Sequence, residues 1–257
     1  VTNCCSPAPE TDAGWLNARG FLARLRRVNL FCGGYGSGKT EVAVNFALHL
    51  AASGRKVSLA DLDIVNLYFR SRERRAEMRV RGVEVLVPGE QLVNADLPII
   101  APEVKGAIDR SDGFVVLDLG GDPVGARVMA SIADGMDWAN YSGFVVLNSR
   151  RPRTNTVAGA RQMIEGIEAS SHAPVTDIVV NSHLIEETVG PVIEEGIRLG
   201  EEVASATGKR LAFVVVERRA LANYDAGSCR YPVMVLDRLM LKPWEQSNWP
   251  GKYRVNI

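Results

Sequence analysis

Seven short runs along the chain are almost continuously apolar and rich in β-branched residues. They are RVNLFC (27–32), KVSLAD (56–61), GVEVLVP (82–88), GFVVLDLG (113–120), GFVVLNS (143–149), VTDIVVNS (175–182) and RLAFVVVE (210–217). A strand with one wet face alternates apolar and polar positions. A run without alternation reads as a strand covered on both faces, as in a parallel sheet. Between most of these runs lie helix-like stretches of ten or more residues, at 39–53, 101–110, 124–134, 154–170 and 188–207. The order predicts an α/β fold: a doubly wound, mainly parallel sheet of about seven strands with helices on both faces. Right-handed crossovers then bring the strand C-termini to one rim, where ligands bind in such sheets.

The pattern places one domain over residues 26–240. Residues 1–25 are expected to be an extension, partly flexible, whose stretch GWLNARGFLARLRR has the apolar spacing of a short amphipathic helix. The arginine-rich segment 66–81 reads as a solvated helix face followed by a turn, as a mobile segment beside a phosphate site, or as a docking surface for an acidic partner. The Trp- and Pro-containing end, 241–257, is expected to be a tail.

Composition narrows the function. In 257 residues, 46% are hydrophobic, enough for a sizeable core. Lys and Arg total 30, balanced by 30 Asp and Glu, which argues against a dedicated nucleic-acid binder. No apolar run approaches the roughly 20 residues of a membrane span, and the N-terminal segment lacks the pattern of a secretory signal. The four cysteines, Cys4, Cys5, Cys32 and Cys229, form no CxxC pair. They predict a reduced, cytoplasmic setting, with Cys32 a small buried hydrophobe.

The chemistry is concentrated after the first apolar run. Gly33-Gly34-Tyr35-Gly36-Ser37-Gly38-Lys39-Thr40 meets the pattern GxxxxGK[ST] at every fixed position, between a strand and a helix. Such a loop turns its N–H groups inward around a phosphate chain and needs bare backbone to do so. The following helix points its positive end at the same anion. Lys39 is the candidate for the β- and γ-phosphates and Thr40 for Mg²⁺. Glu41, in the first helical turn, completes this candidate cofactor-binding stretch. Asp61 and Asp63 end the second run, and Asp118 ends the fourth, followed by Gly121 in a D-x-x-G spacing. Asp61 and Asp118 are candidates to hold water of the Mg²⁺ shell, and Gly121 to present its N–H to a γ-phosphate.

With these motifs the chain resembles the P-loop ATPases of the ParA/MinD and CobQ/CobB-type group, in the class that also holds the nitrogenase iron protein and metallocentre-assembly NTPases. The resemblance covers residues 27 to about 225. It implies a P-loop NTPase fold, ATP and Mg²⁺ as cofactors, Asp63 orienting the attacking water, and Asp118 opening a γ-phosphate-sensing switch. Asn181, in VVNSH, is implied to face adenine. The segment 213–223 is implied to lead into a loop lining the base. Lys39, Asp63 and Asp118 form the implied catalytic set.

Two positions depart from the group. ParA/MinD-type members carry a lysine at the second motif position, and here it is Gly34, which bears on whether a homodimer forms. The GTPases of the class read guanine through N-K-x-D, where this chain has Asn181-Ser182-His183-Leu184. That favours ATP. The loop also resembles that of GTP-dependent metallochaperones. The expected activity is slow ATP hydrolysis coupled to a change of shape for an unidentified protein partner, in metalloenzyme assembly or activation by family analogy. An ATP-dependent ligase or kinase of CobQ/CobB type and a nucleotide-gated scaffold are the other readings. Without the lysine, a catalytic cation has to come from a partner or from this chain, where Arg127, Arg150, Arg151 and Arg153 are nearest by topology.

Overall fold

The computed structural model describes residues 11–12, 14–62, 72–86, 102–110, 112–121, 123–184 and 187–239. Their elements are β1 (Thr11–Asp12), β2 (Trp15–Leu16), α1 (Arg19–Leu22), β3 (Val28–Cys32), α2 (Lys39–Ala52), β4 (Val57–Asp61), α3 (Arg72–Val80), β5 (Val83–Leu86), α4 (Pro102–Asp109), β6 (Phe114–Asp118), α5 (Pro123–Ala133), β7 (Tyr141–Leu147), α6 (Val157–Ser171), β8 (Asp177–Val180), α7 (Gly190–Thr207), β9 (Arg210–Glu217) and β10 (Val233–Leu236).

The ten strands form one sheet in the order β1-β2-β10-β9-β8-β7-β3-β6-β4-β5. From β10 to β5 every pairing is parallel. Only the pairings of β2, with β1 and with β10 near one edge, are antiparallel. All seven apolar runs are strands of the parallel block, and the doubly wound α/β architecture stands. The sheet has ten strands rather than about seven because three short ones escape the pattern. Strands β1 and β2 have two residues each, too few for a period, and β10 follows 3₁₀ turns rather than a long helix.

Burial on both faces explains the lack of alternation. Every position of β3 and β7 is buried. On one face Leu30, Cys32, Leu117, Val145 and Leu147 pack with Met129 and Ile164 of α5 and α6. On the other, Phe31, Phe144 and Phe213 pack with Phe46 of α2. Phe31 stacks on Phe144 at 5.1 Å, and Phe46 on Phe213 at 6.0 Å.

Residues 14–25 are joined to this core. Trp15 is 1% exposed, with its ring 5.1 Å from Phe213 and 5.8 Å from Phe46. Val235 N donates to Gly14 O at 2.8 Å. Gly14 has φ +89°, and a Cβ there would strike the His49 ring at 2.2 Å. His49, on α2, is itself buried, with Nε2 2.7 Å from Val235 O. The apolar spacing after Gly14 does include a helix, but α1 is one turn long and is preceded by the two-residue strand β2, which pairs with β1 and β10. In the arginine-rich segment, α3 and the turn at Arg81–Gly82 are described. Residues 1–10, residues 63–71 and the tail 241–257 lie outside the described residues.

Candidate functional site

Strand β3 lies mid-sheet between β6 and β7, and its chain continues into the loop 33–38 and helix α2. The glycines there are dictated by geometry. Gly36 and Gly38 have φ of +74° and +84°, the left-handed region that side chains avoid. A Cβ on Gly38 would lie 2.4 Å from Asn181 Nδ2, and one on Gly33 would lie 2.7 Å from Val146 O. Ser37 N bonds Gly34 O at 3.1 Å, which tightens the turn, and Val42 N reaches back to Gly38 O at 3.0 Å to open α2. Tyr35 is 91% exposed, so its side chain stands outside the loop. Lys39 is buried at the helix start, beside half-buried Thr40.

Neighbouring strands build walls around this loop. Asp61 is in register with Asp118, and Asp118 with Phe31, two residues before Gly33. The two carboxylates therefore end adjacent strands at one level, with backbones about 4.8 Å apart. Leu119 N donates to Phe31 O at 2.9 Å, and Leu62 N to Asp118 O at 2.8 Å, so both strand ends are held. Asp118 is 2% exposed. The chain after it presses on the loop: a Cβ on Gly121 would lie 2.9 Å from Gly33 O and 3.2 Å from Tyr35 N. On the other flank, Asn181 donates to Ser37 O at 2.9 Å and Arg151 Nε to Gly36 O at 2.8 Å.

Of the residues expected from sequence, Gly33 to Thr40, Asp61, Asp118, Gly121 and Asn181 come together on this rim. Glu41 is next to them, its Oε1 accepting from Leu239 N. Asp63 lies outside the described residues. The Asn181 amide is already bonded to the loop, a task the sequence did not suggest. Gly34 backs onto α6, where a Cβ would lie 3.2 Å from Met163 Sδ.

A cavity of about 160 Å³ opens beside the loop, lined by Gly38, Glu41, Asn181, His183, Glu217 and Arg238 among others. Of these, His183 and Arg238 were not expected there, whereas Glu217 ends β9 within the segment 213–223 implied to lead towards the base. His183 was legible as a rim position after a strand, but Arg238 follows the unread β10. The end of β10 is pinned by Asn45 of α2, which exchanges two 2.9 Å bonds with the Asp237 backbone. His183 is driven down to about 4 by burial first, then by the positive charges of Arg151 and Arg238. It is neutral at ordinary pH, offering one donor and one acceptor. Cys32, pushed up to about 12 mainly by burial, is an inert thiol under the loop.

The loop fits a phosphate chain on two observations. Ser37 Oγ is buried with no hydrogen bond among the described residues. The glycine positions also leave a cradle that side chains would fill. A Mg²⁺ ion at such a loop would need one hydroxyl, which Thr40 is positioned in sequence to offer, with phosphate and water completing its shell. Among the described residues no group of three or more His, Cys, Asp or Glu forms another metal site.

Comparison with solved structures agrees with the fold. The cell division protein FtsY of Thermotoga maritima superposes with a TM-score of 0.51 at 18% identity, over 74% of this chain and 62% of that one. FtsY of Elizabethkingia anophelis, in complex with GDP, gives 0.50 at 18% identity, over 75% and 57%. The fold is that of a P-loop NTPase. In sequence, the chromosome-partitioning ATPase Soj of Thermus thermophilus is 37% identical over 106 residues, 41% of this chain. The match spans 36% of Soj, so only a part of that protein is represented. No family model matches the chain. No helix among the described residues is long and apolar enough to cross a membrane.

Proposed function

We propose that this chain binds Mg-ATP and hydrolyses it slowly, changing shape for a protein partner. The observation that carries the reading is the complete phosphate loop between two rim carboxylates, Asp61 and Asp118, and Gly121. In this reading Lys39 neutralises the β- and γ-phosphates and Thr40 holds Mg²⁺. Asp118 and Asp61 order water around the ion, and Gly121 donates its N–H to the γ-phosphate. Asp63 orients the attacking water. Bound Mg²⁺ would supply charge neutralisation between the β- and γ-oxygens. The base would enter the cavity beyond Gly38. A role in metalloenzyme assembly or activation, in the cytoplasm, remains the family-level expectation for the partner, and a second copy of this chain is the other candidate.

ATP is favoured by the missing carboxylate after Asn181 and by the part-length likeness to an ATPase. A GTP reading has one observation behind it: Glu217 puts a carboxylate on the cavity wall, and guanine offers two N–H donors to such a group.

Calorimetric titration separates the readings. Wild-type protein should bind Mg-ATP, and Lys39→Ala should lose about 1.5–3 kcal/mol, the range for hydrogen bonds to charged groups, or roughly ten- to a hundredfold. Unchanged binding by that variant would remove the loop as the phosphate site. Competition of ATP against GTP should favour ATP. Asn181→Ala should weaken both nucleotides, because the amide braces Ser37. A clear GTP preference that Glu217→Gln abolishes would move the protein to the GTP-dependent reading.

A further inference from the structure

We infer that Arg151 is the catalytic cation of this site, supplied within one chain to the β–γ bridging region. The inference rests on the nucleotide hydrolysis proposed above.

The four arginines nearest by topology have different surroundings. Arg150 is committed to Glu195, with Nη2 2.5 Å from its Oε2. Arg127 and Arg153 are exposed, and neither side chain has a hydrogen bond or ion pair among the described residues. Arg151 is half-buried and lies directly on the phosphate loop. Its Nε donates to Gly36 O, and a Cβ on Gly36 would stand only 3.1 Å from Nε and 3.2 Å from Cζ. Glycine at 36 is thus what lets a guanidinium rest against the loop.

One donor of the five is used by this contact. The four N–H groups on Nη1 and Nη2 make no hydrogen bond or ion pair among the described residues. The side chain is also carried by a fixed turn. Arg151 N bonds Asn148 O at 3.1 Å, and Thr154 N bonds Arg151 O at 2.9 Å. Thr154 Oγ1 donates to Asn148 O at 2.8 Å, and Asn148 and Thr154 are both buried. The positive field of Arg151 is felt at His183, whose imidazole stands beside Gly38. The hydrogen bond from Arg151 Nε to Gly36 O holds this charge against the loop.

A planar fork with idle donors, held by its Nε, suits a phosphate oxygen better than an ammonium does. In hydrolysis the bond between Pγ and the bridging oxygen breaks, and a bond from the water oxygen to Pγ forms. The water proton leaves to phosphate or solvent. Arg151 keeps its proton throughout and offsets the negative charge that builds on the bridging and γ-oxygens.

The alternative is that Arg151 only braces Gly36. The two roles separate by comparing a ground state with a transition-state mimic. Affinities for Mg-ADP and for Mg-ADP with aluminium fluoride are measured for wild type, Arg151→Ala and Arg151→Lys, beside single-turnover hydrolysis. The expected result for Arg151→Ala is a change of at most about threefold for ADP alone. Its fluoride-dependent tightening should fall at least about a hundredfold and its rate by about 10³, the lower end for supplied arginines. Added guanidinium ion should restore part of that rate. Arg151→Lys should fall between. Equal losses for both ligands would show a brace and overturn the inference. So would wild-type protein that binds ADP but gains nothing from fluoride, although nucleotide binding would then stand. Wild-type protein that binds no nucleotide overturns the proposed function first, and this inference with it.

Discussion

At the scale of single residues, burial decides the charge of one side chain on the cavity wall, His183. Its imidazole titrates near 4 in the folded protein, against about 6.5 in an unfolded chain. Between those values the unfolded chain holds more protons, so stability falls as pH falls from 6.5 towards 4, and no further below it. The loss from this group is on the order of 3 kcal/mol at most. Urea unfolding across that window should show a steeper decline in wild type than in His183→Gln. The variant should keep some slope, because burial also lowers His49. Identical slopes in the two proteins would mean that His183 is not held neutral by the fold. The same neutrality matters to a nucleotide. A protonated imidazole there would add a third positive charge to Arg151 and Arg238. The neutral ring can instead both donate to and accept from a base.

At the scale of elements, the sequence was legible wherever an element is long and central. The seven parallel strands follow from unbroken apolar runs, and the phosphate loop from glycine spacing between a strand and a helix. The rim carboxylates Asp61 and Asp118 were legible because strand ends in a parallel sheet converge by topology. What could not be read is what depends on contacts between distant segments. Strands β1 and β2 have no period of their own, and Trp15 is placed by Phe46 and Phe213, far along the chain. The contact of Arg151 with Gly36 spans 115 residues. The bond from Asn181 to Ser37 is of the same kind, and only the fold reveals that this amide serves the loop. The N-terminal segment gives a direct test. Trp15→Ala removes a fully buried indole with three aromatic neighbours within 6 Å. The expected cost is about 3–5 kcal/mol, read as a lower urea midpoint with an unchanged slope. A loss below about 1 kcal/mol, the size of an ordinary surface effect, would show that residues 14–25 are only loosely attached.

At the scale of the whole molecule, the question is whether one chain suffices for turnover. The phosphate loop, both rim carboxylates, Gly121 and Arg151 all come from a single sheet rim. The lysine that ParA/MinD-type ATPases would bring across a dimer is replaced by Gly34, and the space behind Gly34 is taken by Met163. A lysine introduced there would have to displace that thioether or swing away from it. The geometry thus supports an intramolecular cation over an exchanged one. Arg151 is, however, partly engaged by Gly36 O, and a guanidinium shared with the loop cannot give its full charge to the phosphates without some movement. The isolated protein should therefore hydrolyse ATP slowly, on the order of 10⁻² s⁻¹, the range of a switch NTPase carrying its own arginine. Because the loop, the rim carboxylates Asp61 and Asp118, Gly121 and Arg151 belong to one chain, the single-turnover rate should stay constant as protein concentration is raised a hundredfold from nanomolar. A partner that frees Arg151 from Gly36 would raise the rate without raising its dependence on concentration. A steep increase with protein concentration alone would contradict this and show that a second copy completes the site. In that case the rate of Arg151→Ala, mixed with an excess of Lys39→Ala, distinguishes the donor. Recovery of activity in the mixture would mean that the arginine acts across the dimer. Its absence, with the concentration dependence intact, would place the second copy's contribution elsewhere on its surface.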